Sequence, residues 1–280
     1  MCTGPTHAIH GLVAWSAVTA VASGHAIGQL SPQTWVAGAV LASGAALLPD
    51  IDSPSSTIAR TFGPFSQGFS SGISAVSSFV YRATRRGRDS NRTGGHRGLT
   101  HTLIFAALAA VLTAGAVQSS SRWALPLLMF VFTGLAVRGI MREWEADRDA
   151  LAIAITSIVI TLLLLHWVGN QQEGNAGALG VAVFIGCVAH FFGDAITEQG
   201  CPMLWPIPIM GKTWFPVAPP KVMRIRTGGW VELGLVLPAF TALACWLSLI
   251  MLQRFELVSW LDGVRLIPTI ADLNLAAEQS

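Results

Sequence analysis

Charge is what this chain has least of. Lysine, arginine, aspartate and glutamate make up 11% of its 280 residues and 52% are hydrophobic, whereas a soluble domain carries roughly 25% charged residues. With a mean hydropathy of +0.56, an ordinary soluble globule is excluded and an integral membrane protein is indicated. Cysteine is also sparse: Cys2, Cys187, Cys201 and Cys245 are scattered without a CxxC pair, which excludes a disulfide framework or a thiolate zinc knuckle. Neither strand-like alternation nor an internal repeat is visible, and no composition break marks a second domain, so residues 1–280 are read as a single all-α unit. No basic segment precedes the first apolar run and a second run follows it, so cleavage as a signal peptide is not expected.

What the chain has instead is membrane-length apolar sequence. A spanning helix needs about 20 mostly apolar residues, with roughly 17 tolerated, and seven such runs are found at 9–28, 33–49, 102–118, 123–141, 150–168, 176–196 and 231–252. The reading is a polytopic transmembrane helix bundle. Threading these spans puts the N-terminus and the connections 50–101, 142–149 and 197–230 on one side. That side holds Arg60, Arg82, Arg85, Arg86, Arg88, Arg92 and Arg97, then Arg138, Arg142, Arg148, Lys212, Lys221, Arg224 and Arg226. The other side has Arg122, Arg254 and Arg265. The positive-inside rule makes the crowded side cytoplasmic, with the N-terminus inside, the C-terminus outside and 50–101 an Arg-rich cytoplasmic loop.

The polar residues then converge. His7 precedes span one, Asp50 and Asp52 follow span two, His96 and His101 precede span three, and His190 and Asp194 close span six. All fall at the same membrane surface, as does His10, whereas His25 and His166 lie near opposite helix ends and read as structural. In LLPDIDSPSS (47–56) Pro49 can stop a helix while Asp52, Ser53 and Ser55 cap a turn; equally, two carboxylates two residues apart in an extended segment offer hard oxygen ligands. GGHRGLTHTL (94–103) offers two imidazoles across a glycine, with Arg97 as an anion partner and Thr100 as a helix cap. In AHFFGDAITEQG (189–200) His190 and Asp194 are i and i+4, so they face one way on a helix, and ionisable groups inside a span are costly enough to mark function. Glu198, one more step along, is open as a ligand, a general base or a solvated carboxylate.

Four motifs in order, HxxxG at His7–Gly11, LLPDIDSPSS at 47–56, HRGLTH at 96–101 and HxxxD with a following TxxG at His190–Gly200, resemble the YdjM-like, LexA-regulated family of membrane-bound metal-dependent hydrolases. The likeness covers roughly 5–205. It implies a bacterial inner-membrane protein whose metal ligands correspond to His7, Asp50, Asp52, His96, His101, His190 and Asp194. The long segment 57–95 and the last span 231–252 look like departures from the family's compactness.

Seven nitrogen and oxygen donors exceed the three that one catalytic zinc needs and would suit one or two ions of zinc, manganese or iron. The expected chemistry is hydrolysis by activated water at a phosphoryl or acyl centre, with Asp194 or Glu198 taking the proton and Arg97 steadying negative charge. The basic stretch 81–98 and the proline- and aromatic-rich segment 201–220, with Trp205, Trp214 and Phe215 as interfacial rings, tilt the substrate toward a phosphoester or ester of a lipid or lipid-linked molecule. A metal-binding transporter or sensor without hydrolytic activity is the alternative. Transport would favour ionisable residues at mid-membrane, and here they gather at one surface. Nucleic-acid binding is not expected, since Tyr81 is the sole ring near the arginines.

Overall fold

A computed structural model describes residues 2–21, 30–54, 56, 58–119, 121–141, 150–168 and 176–257. It is all-helical, with no strand among the described residues: α1 (Gly4–Val21), α2 (Pro32–Ala45), α3 (Pro64–Thr84), α4 (Leu103–Gln118), α5 (Ala124–Ile140), α6 (Ala150–Val168), α7 (Ala176–Ala195) and α8 (Leu237–Arg254). The segments Pro32–Asp52, Ala176–Ala195 and Glu232–Arg254 are long and apolar enough to cross a membrane, and Leu103–Gln118, Ala124–Ile140 and Leu151–Trp167 are shorter apolar helices. The structure is that of a helical membrane protein. His25, Arg142, Arg148, Arg265 and the end of the first expected span lie outside the described residues.

The order of packing follows side-chain size. α2 is PQTWVAGAVLASGA, started by the Ser31 hydroxyl accepting from the Thr34 amide and by proline in its first turn. Its small side chains let α1, α5 and α7 all pack against it. In lipid, close backbone approach through small residues replaces hydrophobic collapse as the basis of helix association. Gly11 on α1 and Gly186 on α7 lie so near the Ala42 carbonyl of α2 that a Cβ at either would run into it. α4 packs on α7, α6 on α5 and α8 on α1. These outer helices turn large apolar groups outward, among them Val111 and Leu112 on α4 and Leu151, Leu162 and Leu163 on α6. That is the arrangement expected of surfaces facing hydrocarbon.

The connection 50–101 is not the plain loop expected from its arginines, since it contains α3, a helix of 21 residues. Its apolar residues recur at helical spacing but are too few for a span, which is why composition alone passed over it. Segment 201–220 likewise differs from a free interfacial anchor. Trp214 is buried at 3% exposure between the rings of Tyr81 and Trp205, and Cys201 pairs with Val217 through reciprocal backbone hydrogen bonds of 2.9 Å. The segment is a strap folded back on α3 and on the start of α4, where the Leu103 amide donates to the Met203 carbonyl.

The α2 contacts carry a stability prediction. Gly186→Val should destabilise the detergent-solubilised protein by about 1–3 kcal/mol through overpacking. Gly177→Ala, where nothing lies within reach of a Cβ, should leave the melting temperature unchanged. Thermal denaturation followed by size-exclusion chromatography compares the two.

Candidate metal centre

Four helix ends meet at one end of the bundle. His7 comes from the first turns of α1. Asp50 and Asp52 come from a 3-10 turn, Leu48–Asp52, that follows α2, so the segment is coiled rather than extended as the sequence had suggested. His101 closes a short turn before α4, and His190 and Asp194 occupy the last turns of α7. Thr102, not Thr100, caps α4 by accepting from the Phe105 amide, which frees Thr100 for the site. His7, Asp52, His101, His190 and Asp194 are fully buried, Asp50 is nearly so, and the His96 side chain is 34% exposed. The His96 edge is therefore the open side.

Hydrogen bonds fix which nitrogens face inward. The Thr100 hydroxyl has one proton and donates it to Asp52 Oδ2 at 2.6 Å, so its oxygen accepts from His101 Nδ1 at 3.0 Å. His190 Nδ1 donates to the Ala46 carbonyl at 2.8 Å. By this assignment both Nε2 atoms carry lone pairs, yet they face each other at 3.3 Å. Around them, Asp50 Oδ1 lies 3.7 Å from His101 Nε2 and from His190 Nε2, and Asp194 Oδ2 lies 3.6 Å and 3.7 Å from the same two atoms. With both rings neutral, two lone pairs and two carboxylate oxygens repel; a proton on His101 Nε2, or a cation in its place, relieves that repulsion.

Those separations fit a cation. Tetrahedral coordination with bonds of about 2.0–2.1 Å sets ligand atoms roughly 3.3–3.4 Å apart. Three groups of donors lie within 4.8 Å of one another, His7–Asp50–His190, Asp50–His96–His101 and His101–His190–Asp194, so buried His and Asp residues here could hold a metal ion. Asp50 Oδ1 and His7 Nδ1 are buried without a hydrogen bond, His7 Nε2 lies 3.4 Å from Asp194 Oδ1, and the His7 ring stacks on His190 at 3.9 Å between centroids. Such atoms would cost stability if nothing answered them.

The surrounding contacts orient the donors, as partners of metal ligands commonly do. His96 Nδ1 donates to Asp52 Oδ1 at 2.8 Å, and the Cys2 amide donates to Asp194 Oδ1 at 3.2 Å. Arg97 sits at φ 54, a left-handed backbone that is costly for a residue with a Cβ. There its guanidinium reaches Asp194 Oδ2 at 3.1 Å and donates to the Gly200 carbonyl. Buried at 2% exposure, Arg97 is thus committed to a carboxylate of the cluster. Glu198 is not brought in: α7 ends at Ala195, the helical register stops, and Glu198 lies exposed with its carbonyl accepting from Arg224. His10 is buried beside Phe240 and belongs to none of the donor groups.

Two partners went unread in the sequence. Thr100 looked like a cap, and Glu232 fell within the last expected span, 231–252, without a role of its own. Glu232 is fully buried and accepts from the amides of Thr3 and Gly228, pinning the N-terminus that carries Cys2 and His7. Its signal was a lone acid at the head of an apolar run.

A helical membrane protein with a buried cluster of imidazoles and carboxylates is what these observations define. The chain belongs to the family described as YdjM inner membrane protein, which it matches over residues 1–141 and 150–256. The matched range takes in 57–95 and 231–252. No curated protein and no solved structure shows significant similarity to the chain.

Removing His190 and Asp194 together should abolish most metal binding by the purified protein. Elemental analysis of the double alanine variant that finds wild-type metal content would refute the assignment. Thr100→Val, which keeps the shape but loses the orienting hydroxyl, should weaken binding about 10–100-fold. The pH dependence has a definite sign. Burial alone would push the His101 pKa down, but the Asp52 charge and the contacts with Asp194 and Asp50 outweigh it and hold it well above its usual value. An incoming cation must displace that proton, so affinity rises with pH and falls in acid. Zinc titrations at about pH 6 and pH 8 should differ by about tenfold per pH unit for each proton displaced.

Proposed function

We propose that the protein is a membrane-bound metal-dependent hydrolase whose centre lies at the cytoplasmic face of the inner membrane. The observation that carries this reading is the mutual approach of His101 Nε2, His190 Nε2, Asp50 and Asp194 at 3.3–3.7 Å. The ends that meet are those that must share one side if α1, α2, α4, α5, α6, α7 and α8 cross in alternation, seven spans in all. The arginines of 82–97 support a cytoplasmic assignment for that side.

In this reading Asp50, His101, His190 and Asp194 hold one ion of zinc, manganese or iron. His7 and His96 extend the set on either side, with Asp50 shared, which allows for a second ion. Bound there, a divalent cation supplies Lewis acidity and lowers the pKa of water. The protein's own groups do the rest. Arg97 and the Cys2 amide keep Asp194 aimed inward, Asp52 and Thr100 set the tilt of His96 and His101, and the apolar bundle around the cluster excludes bulk water and so strengthens its electrostatics. The reacting group enters at the half-exposed His96, and a phosphoester or ester of a lipid or lipid-linked molecule is the substrate class that a centre at a membrane face favours. Glu198 has no role in this scheme.

The chain's donors collect at one end of the bundle rather than along its length, which favours an enzyme over a transporter. A panel of chromogenic phosphomonoesters, phosphodiesters and acyl esters with added zinc or manganese decides the matter. Hydrolysis of one class that is lost in Asp50→Asn is the expected result. Silence across the panel together with metal uptake into proteoliposomes would mark a transporter instead.

A further inference from the structure

α3 is amphipathic the wrong way round for a soluble helix. The side it turns to the protein is hydroxylic: Ser70, Ser77 and Tyr81 are its buried residues. The Ser70 hydroxyl donates to the Ile51 carbonyl, between the two aspartates. The Ser77 hydroxyl donates to the Gly94 carbonyl at 2.9 Å and accepts from the Leu99 amide at 2.9 Å, on either side of His96. The opposite side is apolar and bare: Phe65, Phe69, Val76 and Phe79 are 89%, 62%, 56% and 70% exposed. At about 100° per residue these four fall on one stripe. The exposed Gln67, Ser71 and Arg82 share a third face between stripe and protein.

Three faces of three chemistries describe a helix lying along an interface. α3 does not stand among the spans, because its middle, Ser70–Ser77, touches the end of the bundle where the metal-centre residues gather, which leaves no depth to cross. Its C-terminal end runs into Arg82, Arg85, Arg86 and Arg88, all exposed. Basic residues beside an apolar stripe at a bilayer surface are attracted to anionic headgroups. We infer that α3 lies in the plane of the membrane on the leaflet next to the metal centre, with its phenylalanine stripe in the acyl chains and its arginine end on anionic lipid. Because the same helix holds Ile51 and the loop around His96, its seat sets the open edge of the centre at headgroup level. The inference concerns placement and stands whether or not the centre hydrolyses anything.

The test uses the full chain in lipid nanodiscs. Cys2, Cys187 and Cys201 are buried and Cys245 is exposed, so Cys245→Ser gives a quiet background. In it, Phe69→Cys, Val76→Cys and, on the polar face, Ser71→Cys are each labelled with a small fluorophore. Lipid spin-labelled near the headgroup should quench the labels at 69 and 76, lipid labelled at the chain terminus should quench them less, and aqueous iodide should quench them several-fold less than the label at 71. Equal iodide quenching at all three positions would overturn the placement. So would stronger quenching from the chain terminus, which would mean insertion across the bilayer, and so would shielding from both quenchers, which would mean a protein partner such as a second copy. For the charge, replacing about one-third of phosphatidylcholine by phosphatidylglycerol should raise the melting temperature of the wild type. The gain should vanish in the variant with Arg82, Arg85, Arg86 and Arg88 all changed to Gln. An identical response of the two proteins would remove anionic lipid as the partner.

Discussion

Three carboxylates buried among helices of small apolar residues dominate the energetics of this molecule. Asp50, Asp52 and Asp194 are 5% exposed or less, and an unanswered ionised carboxylate in such a medium costs far more than a folded protein can spare. The surroundings are arranged around that cost. Asp52 is met by Thr100 and His96, and Asp194 by Arg97 and the Cys2 amide. Asp50, with one oxygen lacking a hydrogen bond, sits between two imidazoles. The balance is closest to broken where His101 and His190 point their Nε2 atoms at each other, a repulsion that a proton on His101 relieves and that a bound cation would relieve in its place.

Holding those groups in register requires a rigid frame. α2 supplies it by being thin: alanine, glycine and serine let α1, α5 and α7 all pack against it, with Gly11 and Gly186 both against Ala42. Since α1 and α7 carry His7, His190 and Asp194, the close approach to α2 sets the spacing of the donors. The Ala46 carbonyl, just past α2, in turn orients His190. Packing and site are one structure here.

The segments that had looked peripheral turn out to close the site. The turn Glu232–Val236 that leads into α8 contributes Glu232, which anchors the N-terminus; α3 holds the turns that carry Asp50, Asp52, His96 and His101 through its serines; the strap 201–220 meets the cluster where the Cys201 thiol donates to the His101 carbonyl. Each acts through backbone carbonyls and amides as much as side chains, so a motif reading, which weighs side-chain types, had no purchase on them.

By itself the sequence determined the apolar helical character, the membrane class and the grouping of His7, Asp50, Asp52, His96, His101, His190 and Asp194, because hydropathy and the i,i+4 spacing of His190 and Asp194 are local properties that threading carries into space. Only the tertiary structure decided which nitrogen each imidazole turns inward, that Arg97 serves Asp194, that Glu198 falls outside, and that a serine-backed helix occupies 64–84. The reason is physical: a tautomer is set by the partner of the other ring nitrogen, a helix end by where its hydrogen bonds stop, and the sense of an amphipathic face by which side finds the protein. None of those is written in spacing along the chain.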